Sequence, residues 1–201
     1  PGIEPLDYST AVELALERLE KGEVETHWSG ALGHGPTAEL EDSEGLARET
    51  RSRLVRASPE AVFRAFSGVG GDRGWPAWEW AWITRGFLDR LVGGPGLRRG
   101  RRHPDEIFAG EALDFWRVEA AEPPHLLRLR AEMRLPGRDW LQWETFPEEG
   151  GTRLVQTALF APFGLQGAVY WYGLYPFHQF IFSAMVEALA RRAEASPPHQ
   201  K

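Results

Sequence analysis

Several side chains able to do acid–base or hydrogen-bonding chemistry fall where alternation turns them toward an apolar interior. In the strand-like stretch Ala112–Ala120, Val118 marks the inward face, and a period of two then places Trp116 and Asp114 on it as well. In Arg153–Ala161 the same rule sets Gln156 beside Leu154, Ala158 and Phe160. His178 lies in the apolar stretch that follows. An acid or an amide in such an enclosure is costly unless partnered, and a buried acid has an elevated pKa. Asp114 and Gln156 are therefore candidate polar anchors for a ligand. Asp114 and His178 are candidates for acid–base work, and no catalytic residue is assigned. The alternatives are an Asp at the sheet rim bonded to a loop and a His satisfied within the core.

Arg98-Arg99-Gly100-Arg101-Arg102 forms a second group. Guanidinium forks hold phosphate or carboxylate bidentately, so the four arginines are a candidate anion site. They would equally meet acidic groups on a neighbouring domain, or balance an acidic protein in a solvated loop. The chain has no cysteine, which excludes disulfides, thiolate nucleophiles and cysteine metal sites. No histidine pair has helical metal-ligand spacing and no Gly-x-Ser-x-Gly elbow occurs, so no metal and no serine-hydrolase chemistry is expected. A net charge of −6 argues against nucleic acid. Trp75, Trp78, Trp80 and Trp82 crowd one segment and cannot all face inward from one helix; one or two belong on the surface, at an interface or at a cavity mouth.

These residues need elements to hold them. Thr10–Lys21 has the apolar stripe of an amphipathic helix, and Glu23–Gly45, rich in glycine and acidic residues, reads as an exposed linker. A strand follows over Arg48–Arg56. Ser58 is a good N-cap, Pro59 suits the first helical position, and Val62, Phe63 and Phe66 form the buried side of a short helix. A second helix over Trp78–Val92 carries Trp78, Trp82, Phe87 and Leu91 on its apolar side. After the strand at Ala112–Ala120, His125–Arg134 alternates cleanly, and Asp139–Phe146 turns Leu141 and Trp143 inward. Glu148–Gly151 is a hairpin turn into the strand ending at Ala161, and a helix then runs from Gly164 to about Ala195.

Between Arg153 and Glu187 no side chain is charged. A membrane span needs about 20 apolar residues in one helix. Here Pro162, Gly164, Gly167, Gly173 and Pro176 interrupt the run, and its first third alternates like a strand. It reads as two elements back to back, a strand and then a helix, facing one interior. Whether that interior is solid or hollow stays open. Pro176, expected to kink or break the helix, bears on the answer, as do Gln156 and His178. A membrane is disfavoured, and with no signal peptide at the start a cytoplasmic protein is expected.

The order strand, short helices, antiparallel meander, long C-terminal helix, with the opening Ser58-Pro59-Glu60-Ala61-Val62-Phe63, resembles the START-like (helix-grip, SRPBCC) superfamily over Arg48–Glu194. The resemblance implies an α+β fold in which a curved antiparallel sheet wraps around the C-terminal helix and leaves a cavity between them. A closer likeness lies in Leu91–Arg102, Ala112–Glu119, Leu127–Met133 and Tyr170-Trp171-Tyr172 with Pro176-Phe177-His178. Together these resemble an uncharacterised domain that often follows a short-chain-dehydrogenase-like, NAD(P)-binding Rossmann domain. The Thr10–Lys21 helix and Gly22–Thr26 resemble the junction between the two, which agrees with a chain starting at Pro1 rather than Met.

The expectation is thus an N-terminal helical arm and linker over residues 1–47, a helix-grip domain over 48–195 and a disordered tail over 196–201. The domain is expected to bind an apolar small molecule as the accessory module of an NAD(P)-dependent oxidoreductase-like protein. Asp114, Trp116, Trp143, Gln156, Tyr172 and His178 are expected to line its cavity. NAD(P) would belong to a preceding domain. The glycine-rich stretches Gly68–Gly74 and Gly93–Gly100 do not follow a strand and open a helix as a dinucleotide fingerprint must. Alternatives are a stand-alone cyclase- or dehydratase-like enzyme, with Asp114 as acid/base and Gln156 and His178 orienting the substrate, or a structural or membrane-associated module with a filled core.

Overall fold

Alternation in the second half of the chain builds one face apolar enough to need a cover, and the C-terminal helix supplies it. The computed structural model describes residues 37–43, 45–91, 93, 94, 96, 100, 101, 103 and 105–196. Their order is β1 (Thr37–Ser43), β2 (Leu46–Val55), α1 (Pro59–Ser67), α2 (Glu79–Leu91), β3 (Ala112–Leu113), β4 (Trp116–Glu122), β5 (Leu126–Ala131), β6 (Gly137–Glu148), β7 (Gly151–Pro162) and α3 (Gly164–Glu194). The strands form one antiparallel sheet in the order β1-β2-β7-β6-β5-β4-β3.

Register fixes what faces inward. Trp143 lies opposite Gln156, Leu141 opposite Ala158 and Asp139 opposite Phe160. On the other side of β7, Arg51 lies opposite Gln156 and Glu49 opposite Ala158. Leu127, Leu129, Leu141, Trp143, Leu154 and Phe160 pack on Met185, Val186, Leu189 and Ala190 of α3 in one core. Ser58 caps α1, accepting from the Ala61 N–H at 3.4 Å, and Pro59 sits in the first turn. Phe66 of α1 stacks on Trp143 at 6.1 Å. The first turns of α3 press against the β5–β6 connection: a Cβ on Gly167 would stand 2.3 Å from the Pro136 carbonyl oxygen, so only glycine fits.

The structure departs from the sequence reading in four places. Thr37–Ser43, within the stretch read as linker, is an edge strand paired along its length with β2. The strand read over Ala112–Ala120 is split by a turn at Asp114–Phe115. In α2 the inward side is Trp82, Gly86 and Asp89, whereas Trp78, Phe87 and Leu91 are exposed. α3 runs unbroken through Pro176, which lies on its solvent side. The amphipathic segment Thr10–Lys21 and residues 197–201 lie outside the described residues. Among the described residues no helix is long and apolar enough to cross a membrane.

Candidate ligand site

Where α2 crosses the rim of the sheet, three layers of sequence meet. Trp82 anchors α2, and Arg85, less than one turn later, points the same way by helical period. Asp139 stands on the inward face of β6, two residues before Leu141. His178 and Phe182 occupy one stripe of α3, and Trp116 begins β4. These residues, with Ala81 and Ile181, enclose a cavity of about 40 Å3. That is room for a water or two, well below the roughly 300 Å3 at which small-molecule pockets begin.

The cavity wall is mostly apolar, with the polar groups of Arg85, Trp116, Asp139 and His178 set into it. Arg85 Nη2 lies 3.7 Å from Asp139 Oδ2, close enough for charge attraction and too far for a hydrogen bond. Burial pushes the Asp139 carboxyl up to about 7, against the opposing pull of Arg85. Burial also pushes His178 down to about 3, helped by the positive charges of Arg85 and Arg51, so its imidazole is neutral. Burial pushes the Tyr170 hydroxyl up, with Arg85 opposing the shift by charge and hydrogen bonding. Arg85 Nε, Trp116 Nε1 and His178 Nδ1 are all shielded from solvent and meet no hydrogen-bond partner. Deeper under α3, buried Arg51 pairs with Glu49 and donates to Ser183 Oγ at 2.6 Å.

Of the residues expected from the sequence, Trp116 and His178 line this cavity. Trp143 and Gln156 do not; they satisfy each other, with Trp143 Nε1–H donating to Gln156 Oε1 at 2.8 Å and Gln156 Nε2 to the Phe182 carbonyl at 3.4 Å. Tyr172 is 48% exposed, because it lies about a quarter turn of helix away from the buried Trp171. Asp114 sits in the turn before β4 with φ of 53°, and its Oδ2 accepts from Trp75 Nε1 at 2.9 Å and Gly71 N at 3.3 Å. It is a rim carboxylate that anchors a loop. Arg101 gives its guanidinium to the carbonyls of Ser67, Val69, His103 and Glu106, a backbone staple and not an anion fork. Arg98, Arg99 and Arg102 lie outside the described residues.

Arg85 and Asp139 are the polar members that sequence reasoning missed. Asp139 carried a signal, since the alternation that turned Leu141 and Trp143 inward also includes it. Arg85 follows Trp82 by one helical spacing. Among the described residues no group of three or more His, Asp or Glu is placed to hold a metal ion.

A curved antiparallel sheet gripping one long C-terminal helix, with polar groups gathered beneath the helix, defines a helix-grip fold. Residues 46–185 match the family described as "Protein of unknown function (DUF2867)", and the chain belongs to that family. Among solved structures, CalU16 from Micromonospora echinospora is similar in its solution form, with 14% identity over 84% of this chain and 80% of that one and a TM-score of 0.45. Truncated norcoclaurine synthase from Thalictrum flavum is 10% identical over 83% of this chain and 99% of that one, with a TM-score of 0.44. Protein Ms6760 from Mycobacterium smegmatis is 11% identical over 82% and 99%, with a TM-score of 0.42. No curated protein sequence matches the chain.

Proposed function

We propose that this domain binds a small, largely apolar molecule whose polar end meets Arg85, Trp116, Asp139 and His178. The observation that carries this reading is the convergence of enclosed, unmet polar atoms from α2, β4 and α3 on one cavity. A core built for stability alone satisfies such groups, because each one left unmade is costly. The cavity holds the polar end and not the whole molecule, so α2 must shift to admit the rest. Its attachment suits that: one large side chain, Trp82, is buried, while Trp80, Ile83, Phe87, Leu88 and Leu91 lie over half exposed. Native mass spectrometry and thermal melts with a panel of apolar acids, alcohols and amines test the reading. An adduct that raises the melting temperature and is lost in Trp116→Ala supports it. A panel without any adduct refutes it.

A second reading concerns the setting. The exposed apolar side of α2 and the outer side of α3 before Glu187, which carries no charge and exposes Leu165, Val169, Phe177 and Phe180, offer a docking face. This supports a role as the accessory module of an NAD(P)-dependent oxidoreductase, with the Rossmann domain encoded in the same longer chain. A reading frame upstream of Pro1 without a strand, glycine-rich turn and helix unit would reject that setting.

A further inference from the structure

We propose that the cavity receives the carboxylate of an apolar acid, and that Asp139 releases Arg85 and takes a proton from solvent as that carboxylate arrives. This rests on the small-molecule reading above. It follows from which atoms are left unmet. Arg85 Nε and Trp116 Nε1 are both enclosed and without partners, and both are groups that only donate. Asp139 stands 3.7 Å from Arg85 Nη2 and makes no hydrogen bond with it at that distance. Arg85 hydrogen-bonds Tyr170 but meets Asp139 by charge alone, and its unmet Nε, with the Trp116 donor beside it, calls for acceptor oxygens. A carboxylate matches the guanidinium fork bidentately. An amine would bring a second positive charge to Arg85, and an alcohol would answer one donor at most.

The charge balance explains the proton. The titratable and charged groups around Asp139 are Arg85 and Asp89 on α2, Tyr170 and His178 on α3 and, beyond His178, Arg51 of β2. Arg51 is already matched by Glu49. Asp89 accepts from the Gly96 and Arg134 N–H groups at 2.9 Å. His178 and Tyr170 are neutral. One cation, Arg85, therefore faces two carboxylates once the ligand is in place, and two like charges in a shared enclosure do not both stay ionised. The ligand carboxylate, the Asp139 carboxylate and one proton become a ligand–Arg85 ion pair beside a neutral Asp139 acid. The O–H bond at Asp139 is the only covalent bond formed. Burial has already brought that carboxyl to about 7, so a second anion completes the protonation near neutral pH.

Titration calorimetry with octanoate, octanol and octylamine, at about pH 8 in two buffers of different ionisation enthalpy, tests this. Octanoate is expected to bind at least about tenfold more tightly than octylamine, with uptake of roughly one proton that fades toward about pH 5.5, where Asp139 is already protonated. Arg85→Gln should remove the preference for the acid. Asp139→Asn, which mimics the protonated acid, should still bind octanoate but with no proton uptake; thermal melts establish that each variant is folded. Equal binding of all three probes without proton uptake overturns the carboxylate assignment and leaves the small-molecule reading standing. Binding of none overturns both. Octanoate affinity unchanged in folded Arg85→Gln moves the acid out of this cavity and also overturns the proposal.

Discussion

Arg85 of α2 and Asp139 of β6 form an ion pair at 3.7 Å that neither side completes with a hydrogen bond. The pair spans the seam between a helix with a single large buried anchor and the rigid sheet. Its incomplete geometry leaves the Asp139 carboxyl governed more by burial than by its cation, and the first two predictions follow from that.

Asp139 binds its proton more tightly folded, with a value of about 7, than unfolded, near 3.8. Between those values the folded state holds more protons, so this group's stabilising contribution is complete below about pH 3.8 and is lost as pH rises through about 7. Each pH unit in the window changes stability by up to about 1.4 kcal/mol. Asp139→Asn should therefore gain on the wild type as pH rises from acid to neutral, by a few kcal/mol in all. Urea unfolding midpoints across that range read the difference; parallel curves for the two proteins would contradict the placement of Asp139.

His178 works in the opposite direction. Its value falls from 6.5 to about 3 on folding, so the unfolded chain holds more protons between them. Its contribution is present above about pH 6.5 and is lost as pH falls through about 3. Over most of the same window the Asp139 and His178 slopes cancel, and the wild type should look nearly flat. His178→Gln unmasks the Asp139 slope, making the protein more stable as it is acidified, whereas Asp139→Asn unmasks the His178 slope and does the reverse. A double variant should be flat again. Opposite signs in the two single variants are the diagnostic, since a general packing defect would move both the same way.

Much of this fold was legible because one periodicity runs through it. Leu127 and Leu129, Leu141 and Trp143, and Leu154, Gln156 and Ala158 each alternate without interruption, and register across the strands then aligns them. The reading failed where something local reset the phase. The turn at Asp114–Phe115 separates β3 from β4, so counting back from Val118 reaches Trp116 within β4, whereas Asp114 is buried by the turn it sits in and not by strand alternation. β1 was hidden because its composition, Thr-Ala-Glu-Leu-Glu-Asp-Ser, is that of an edge strand protected by charge and resembles a linker. The inward side of α2 was hidden because its apolar residues face solvent and its buried positions include Gly86 and Asp89. The site lies where α2, β6 and α3 meet, and no local pattern reports that Arg85, Asp139 and His178 share a cavity.

Asp114 is expected to behave as an anchor. Replacing it with Ala leaves the Trp75 indole N–H and the Gly71 N–H without an acceptor, a cost of about 1–3 kcal/mol. Asn keeps one acceptor oxygen and tolerates a positive φ better than most residues, so Asp114→Asn should stay close to the wild type. Ligand affinity of the folded fraction should be the same in both variants. Thermal melts combined with octanoate titration separate this from an acid–base role, in which Asn and Ala would be equally defective and stability would not distinguish them.

The outer face of α2 contributes little to folding. Ile83, Phe87 and Leu91 are 56%, 59% and 68% exposed, so each covers less than half of its surface in the folded state. Replacing all three with Ser should change stability by no more than about 0.5 kcal/mol per site, the usual range for exposed positions, less the small helix penalty of Ser. A face kept apolar without a folding benefit is one used for contact. On the accessory-module proposal, the triple variant should keep its melting temperature within a few degrees while losing association with the proposed Rossmann module, read by co-purification of the two. A large drop in melting temperature would instead mean that these side chains are covered within the chain itself.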